Sequence, residues 1–197
     1  MTDTIIDLSH FNTNPNFILA KNAGVLAVIH KATQGTTFAD PAYAAHRIAA
    51  SEAGLLWGAY HFGDGTDGVA QADFFLENSG PTRPALLALD FEQNPGGASM
   101  SLNQARAFVT RIQAVTGRWP GLYAGAYLKG LLGDVKDPVL GNCWLWLAQY
   151  AGIATVPANW TAWTLWQYTG SAMVNGIGQC DRSRFNGSAA DLAAFFT

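Results

Sequence analysis

The sequence predicts an α/β fold, a compact and irregular TIM-like (β/α) barrel. Three observations carry this. About eight short apolar runs recur along the chain with turn signals between them. Most read as near-continuous apolar sequence, as strands buried on both faces of a parallel sheet do. Helix-like stretches separate the early runs, all within 197 residues. That length suits one domain and falls below the ~250 residues of the usual barrel. An open doubly wound sheet is the alternative. It loses support because no Gly-x-Gly-x-x-Gly turn follows the first run.

Taken in order, the strand runs are Thr4 to Leu8, Val25 to His30, Leu55 to Phe62 and Ala85 to Phe91. The second half offers Gly121 to Ala124, Trp144 to Tyr150, Trp163 to Tyr168 and Gly178 to Phe185. Between the early runs, Asp40-Pro41 signals a helix start, an Asp cap with Pro in the first turn, running from Ala42 to Ala53 and stopping at Gly54. Gly68 to Asn78 is a second helix, closed near Gly80-Pro81. Ser99 or Ser101 caps a third through Leu102, Ala105, Phe108, Val109 and Ile112, ending at Gly117. Gly187 to Phe196 is the last. After Gly133 the helices are expected to be short or missing, with loops around Pro138 and Pro157.

Composition narrows the function. The chain is 49% hydrophobic and 13% charged, with net charge -3. It has no Lys/Arg cluster, so nucleic acid is not the expected partner. No run of about 20 apolar residues predicts a membrane span. Aromatics reach 12%, with seven Trp; such a chain can line a cleft that stacks on ring-shaped ligands. Cys143 and Cys180 lack metal-ligand spacing and are expected to be free buried thiols.

Barrel chemistry sits at the C-terminal ends of strands. Asp7 ends the first run, Asp90 and Glu92 end the fourth, and Asp181 falls in the last. Asp90 and Glu92 are two apart, so on a strand they share a face while Phe91 points away. Two carboxylates this close disfavour joint ionisation, so one should keep its proton and serve as an acid beside a charged partner. Acetal cleavage needs that pair. Paired acids could equally bind Mg²⁺ or Ca²⁺, or be ordinary strand-end charges. Tyr60, Tyr123, Tyr127, Trp146, Trp166 and Tyr168, at or near strand ends, point toward a sugar. Lys31 could hold a substrate group or pair with a site acid. His10, His30 and His61 also lie near strand ends, but no His-x-x-x-His occurs; local hydrogen bonding is the expectation, and no metal or cofactor is implied.

The motifs, read in order, resemble glycoside hydrolase family 25, the Chalaropsis-type lysozymes or N-acetylmuramidases. They are Ile6-Asp7-Leu8-Ser9-His10-Phe11-Asn12, Ile29-His30-Lys31-Ala32-Thr33-Gln34-Gly35, Asp40-Pro41-Ala42-Tyr43, Trp57-Gly58-Ala59-Tyr60-His61-Phe62 and Leu89-Asp90-Phe91-Glu92. Leu122-Tyr123-Ala124-Gly125, Trp146-Leu147-Ala148-Gln149-Tyr150, Leu165-Trp166-Gln167-Tyr168 and Asp181-Arg182-Ser183-Arg184-Phe185 follow. The resemblance covers essentially the whole chain. It implies one catalytic domain over residues 1–197, acting on the β-1,4 bond between N-acetylmuramic acid and N-acetylglucosamine in peptidoglycan.

By the same resemblance Glu92 is the general acid, Asp90 the second acid, and Asp7 and Asp181 further cleft carboxylates. Tyr60, Tyr123, Lys31, Gln167, Trp166 and Tyr168 are the expected substrate-binding residues. Ser183 replaces the Asn more usual in the family's Asp-x-Asn pattern. Because both acids come from one strand, attack by the substrate's own N-acetyl group is the expected route, with Asp90 stabilising the oxazolinium. A non-catalytic wall-binding module, a chitinase-like hydrolase and a metal-dependent phosphoesterase are the competing readings.

A monomer is expected. The N-terminus shows no basic start and no apolar run of signal-peptide length. Cytoplasmic synthesis is therefore expected, with access to a wall through phage lysis or specialised secretion.

Overall fold

The structure is a computed structural model and describes residues 1–80 and 84–197. Eight strands close into a barrel: β1 (Thr2–Leu8), β2 (Ala27–Gln34), β4 (Leu56–Phe62), β5 (Leu86–Asp90), β6 (Gly121–Ala124), β7 (Trp144–Ala148), β8 (Leu165–Val174) and β9 (Gly178–Phe185). A two-residue strand, β3 (Phe38–Ala39), folds back on the end of β2. Pairing of β1 with β2 closes the ring. The expected barrel is therefore the observed one. Its parallel character is incomplete, however. Around the ring, β1, β2, β4, β5, β6, β7 and β8 pair in parallel, whereas β9 runs antiparallel to both β8 and β1. A direct hairpin joins β8 to β9, and a hairpin cannot make a parallel pair.

Strand alternation divides the apolar residues into two layers. Ile5, Ile29, Ala88, Trp146, Leu165 and Phe185 form the inner set. Ile6, Val28, Ala59, Leu87, Leu89 and Leu122 face the helices. Strands β4 to β7 are accordingly apolar at nearly every position. This register also fixes which polar side chains point inward at the upper rim. Asp7 follows Ile5, Lys31 follows Ile29, Asp90 follows Ala88, and Gln167 follows Leu165.

The helices found among the described residues are α1 (Phe17–Asn22), α2 (Tyr43–Glu52), α3 (Gly68–Asn78), α4 (Leu102–Thr116), α5 (Ala126–Leu132) and α6 (Ala189–Phe195). α4 starts on a capping box, Ser101 with Gln104, and stops at Gly117 with φ of 74°. Of the two candidate caps, Ser101 is the one used. α2 departs slightly from expectation: its N-cap is Ala42, and Asp40 instead accepts the Ala42 N–H at 3.0 Å from outside the helix. α3 has the expected span, but Pro81 lies outside the described residues. No helix among the described residues is long and apolar enough to cross a membrane. Cys143 and Cys180 are buried free thiols.

Two buried histidines tie the helices to the outer barrel face. His61 Nε2 donates to Gln71 Oε1 (3.0 Å) and Nδ1 accepts from the Thr33 hydroxyl (2.7 Å). His30 Nδ1 donates to the Lys31 carbonyl (2.7 Å), leaving Nε2 to accept from His46 (2.9 Å). Burial holds both rings neutral and lowers each pKa from 6.5 to about 4. The unfolded chain then binds protons first as pH falls. Stability from each neutral ring is fully present above pH 6.5 and declines toward pH 4, by roughly 3 kcal/mol per ring. Urea unfolding of the wild type and of His61→Gln, which takes up no proton, checks this. The stability difference between them should shrink by about 3 kcal/mol from neutral pH to pH 4. A pH-independent difference contradicts it.

Candidate active site

Four carboxyl groups meet at the upper mouth. Asp7, Asp90, Glu92 and Asp181 line one cavity of about 100 Å³, together with Tyr60, Tyr123, Trp146 and Gln167. Glu92 lies two residues past the end of β5, and Phe91 between the acids is fully buried in the outer layer. Asp181 reaches the same mouth because β9 runs antiparallel, which pairs it with Asp7 across the two strands. A larger groove of about 780 Å³ shares Glu92 and Tyr123 with the cavity and continues along Gln93, Tyr127, Lys129 and Tyr150.

Hydrogen bonds fix the inner wall of the cavity. Tyr123 and Tyr150 both donate to Gln167 Oε1, at 2.8 and 2.9 Å. With its oxygen so occupied, Gln167 turns Nε2 toward Asp7 and donates to both carboxylate oxygens at 3.0 and 3.1 Å. Trp146 Nε1 donates to Ser183 Oγ at 3.0 Å. The unusual Ser at that position is thus a buried acceptor that holds a cavity ring. Gly170 leaves room for the arrangement: a Cβ there would meet Asp181 Oδ1 and the Tyr150 hydroxyl at 2.9 Å each.

The electrostatics favour protons. Burial raises Asp7 well above the ordinary carboxyl range, with Asp181 adding to the effect; their side chains hydrogen-bond, so Asp7 holds the proton and Asp181 accepts. Burial likewise raises Asp90, and the charge of Glu92 pushes it further. Glu92 is raised by burial and by Asp181, against the opposing pull of Lys31. Tyr60 is raised well above its usual value by burial and the surrounding acids, so it remains a neutral phenol. Asp90 is 8% exposed, and its Oδ1 is buried with no hydrogen-bond partner among the described residues.

Lys31 is buried beside this group. Its ammonium donates to Gln34 Oε1 at 2.6 Å and lies 4.9 Å from the Phe62 ring centre. Burial lowers its pKa, and Asp90, Asp40 and Glu92 hold it up. Its hydrogen-bond partner is Gln34, and the site acids act on it through their charge.

Two expected residues do not join the cavity. Trp166 and Tyr168 flank the inward Gln167 and so face outward. Trp166 packs with Leu145 and Leu147 and donates to the Gln149 carbonyl at 2.7 Å. Tyr168 donates to Asp3, and the Arg184 guanidinium stacks on both rings. Conversely, Tyr150 was given no site role by the sequence, yet it bonds Gln167 at the mouth. His10, His30 and His61 all make local hydrogen bonds, His10 with Asp40 at 2.8 Å. Among the described residues no group of three or more His, Cys, Asp or Glu is arranged to hold a metal ion.

Comparison with known proteins agrees with this fold. The profile of Glycosyl hydrolases family 25 matches residues 6–177. Lysozyme M1 of Streptomyces globisporus is 35% identical over 96% of this chain and 69% of its own length. N,O-diacetylmuramidase of Chalaropsis sp is 31% identical over 97% of both chains. The bacterial lysozyme structure from Streptomyces coelicolor superposes with a TM-score of 0.90 at 34% identity, covering 100% of this chain and 97% of that one. A lysozyme of the same family from Aspergillus fumigatus gives 0.88 at 34% identity, covering 100% of both. A profile match over most of the barrel, together with relatives aligned end to end, establishes that this chain belongs to glycosyl hydrolase family 25 and is a glycoside hydrolase of the lysozyme and muramidase kind.

Proposed function

We propose that this enzyme cleaves the β-1,4 bond between N-acetylmuramic acid and N-acetylglucosamine in peptidoglycan strands, with Glu92 as the general acid and the substrate's acetamido group as the nucleophile. Glu92 has the environment of an acid that keeps its proton: partial burial with Asp181 nearby. Its O–H protonates the glycosidic oxygen as the C1–O bond breaks. The acetamido carbonyl oxygen closes on C1 and forms an oxazolinium. Glu92, now a carboxylate, removes a proton from water as that water opens the ring.

The observation that carries the assisted route is the buried, unpartnered Asp90 Oδ1 beside Glu92 in the same cavity. A buried carboxyl oxygen without a donor is costly, and an acetamido N–H is the donor this route supplies. Accepting that N–H aims the carbonyl at C1 and offsets the positive charge of the oxazolinium. Gln167 holds a protonated Asp7 whose proton Asp181 accepts, and the negative charge of Asp181 keeps Glu92 protonated. Tyr60 and Tyr123, neutral phenols on the cavity wall, bond sugar hydroxyls in this reading.

The route is tested by the anomer released first from purified peptidoglycan, read by NMR. Ring opening by water on the face vacated by the leaving sugar, opposite the acetamido oxygen, returns the β configuration, so the initial product should be β. An α product rules the assisted route out, and no clearing of a peptidoglycan suspension rules out the substrate.

A further inference from the structure

We infer a second carbohydrate contact on the barrel rim, an aromatic platform made by Phe11 and Phe38, which takes a pyranose ring of the glycan several sugars from the cut. This rests on the glycan reading of the cavity. Phe11 is 80% exposed and Phe38 38%, although a soluble chain ordinarily gains by burying Phe. Neither ring is there through looseness. Residues 9–12, directly after β1, are each tied by hydrogen bonds. Ser9 N–H donates to Asn12 Oδ1, Phe11 N–H to Ser9 Oγ, and His10 donates to Asp40 through its backbone N–H. His10 also bonds Asp40 through its ring, and it lies between the two phenylalanines, 4.1 Å from Phe11 and 5.5 Å from Phe38. Exposed rings on a rigid support present a flat apolar face at little ordering cost.

The platform adjoins the cavity. Lys31 lies 5.5 Å from the Phe38 ring centre, and its charge acts on Asp90 and Glu92. On the other flank Asn12 Nδ2 donates to the Gln179 carbonyl, two residues before Asp181. Around the closed ring β1 and β2 stand opposite β6 and β7. The platform follows β1 and β2, while the large groove is walled by the ends of β6 and β7. A strand lying in that groove and crossing the cavity leaves over the platform. The apolar face of a pyranose fits Phe, and the neighbouring Lys31 and His10 offer donors to its hydroxyls.

The test compares Phe11→Ala and the Phe11→Ala/Phe38→Ala pair with wild type on two substrates: long peptide-free wall glycan and a tetrasaccharide too short to span groove and platform. The single variant should lose about tenfold in kcat/KM on the long glycan, carried by KM, the equivalent of roughly 1.4 kcal/mol. The pair should lose more, Phe11→Trp should keep full rate, and the tetrasaccharide should be cut equally by all. Equal losses on both substrates mean a structural role and overturn the inference, as does no loss on either. Affinity for the same long glycan, measured by titration calorimetry with Glu92→Gln as the common background, separates this from failure of the functional reading. If no variant hydrolyses glycan but Phe11→Ala still weakens binding about tenfold, the platform stands and the proposed reaction falls; unchanged binding removes the platform.

Discussion

Glu92→Gln should lower kcat on peptidoglycan by about 10³-fold or more with the fold intact, the upper part of what a positioned general acid supplies. Gln keeps the shape and hydrogen bonding of Glu but has no proton to give. Three readouts separate this from damage to the cavity. First, KM should change little, because the proton transfer belongs to the transition state. Second, the alkaline limb of the wild-type pH profile should vanish. A raised pKa at Glu92 means that the acid form persists to higher pH, and activity falls as pH rises through that value. Third, with a substrate whose aryl leaving group departs without protonation, Glu92→Gln should release the first equivalent of phenol at close to the wild-type rate, because only the later ring opening then needs Glu92. A variant that clears peptidoglycan near full rate removes Glu92 as the acid. One that is equally slow to release that first equivalent shows that the side chain does something other than donate a proton in the first step.

The barrel was legible because a strand buried on both faces has to be apolar at nearly every position. The runs at Gly121 to Ala124 and Gly178 to Phe185 match β6 and β9 residue for residue. What escaped was short or directional. α1 is six residues long, too few to show a helical period, and α5 carries Gly130 inside it and Gly125 at its cap. The direction of β9 leaves no mark in its residue types, most of which are polar. The turn did hold a signal: Asn175-Gly176 between two apolar runs is a hairpin pair, and Gly176 takes φ of 86°.

The site divides in the same way. Asp7, Asp90, Glu92 and Asp181 could be placed at strand ends from sequence, and they do line one cavity. Trp166 and Tyr168 could not both accompany Gln167, since neighbours on a strand face opposite ways; alternation alone excludes them. Tyr150 is a different case. Its place depends on Gln167, 17 residues away on the adjacent strand, and on the space that Gly170 leaves. Such a contact exists only once the barrel has closed.

Asp90→Asn should cost about 10² to 10³-fold in kcat and yet make the protein more stable at neutral pH. The two effects have one cause. Asp90 is buried, Glu92 repels its charge, and its Oδ1 lacks a donor. Its folded-state pKa lies above its unfolded one, so ionising it opposes folding: stability is lost as pH rises from the unfolded value through the folded one. Asn carries no charge, so at pH 7 the variant escapes that loss. Its melting temperature should rise by ~2–4 °C for each kcal/mol regained, and the gain should fade below pH 4, where Asp is itself neutral in both states. The same missing charge leaves an oxazolinium without its counter-ion, which is why the loss falls on kcat. Glycan whose acetamido groups have been removed cannot form that intermediate. Wild type and Asp90→Asn should therefore be equally slow on it. A full wild-type rate on deacetylated glycan would exclude the acetamido nucleophile. A stable variant that retains kcat would show that Asp90 is buried for some reason other than the chemistry beside it.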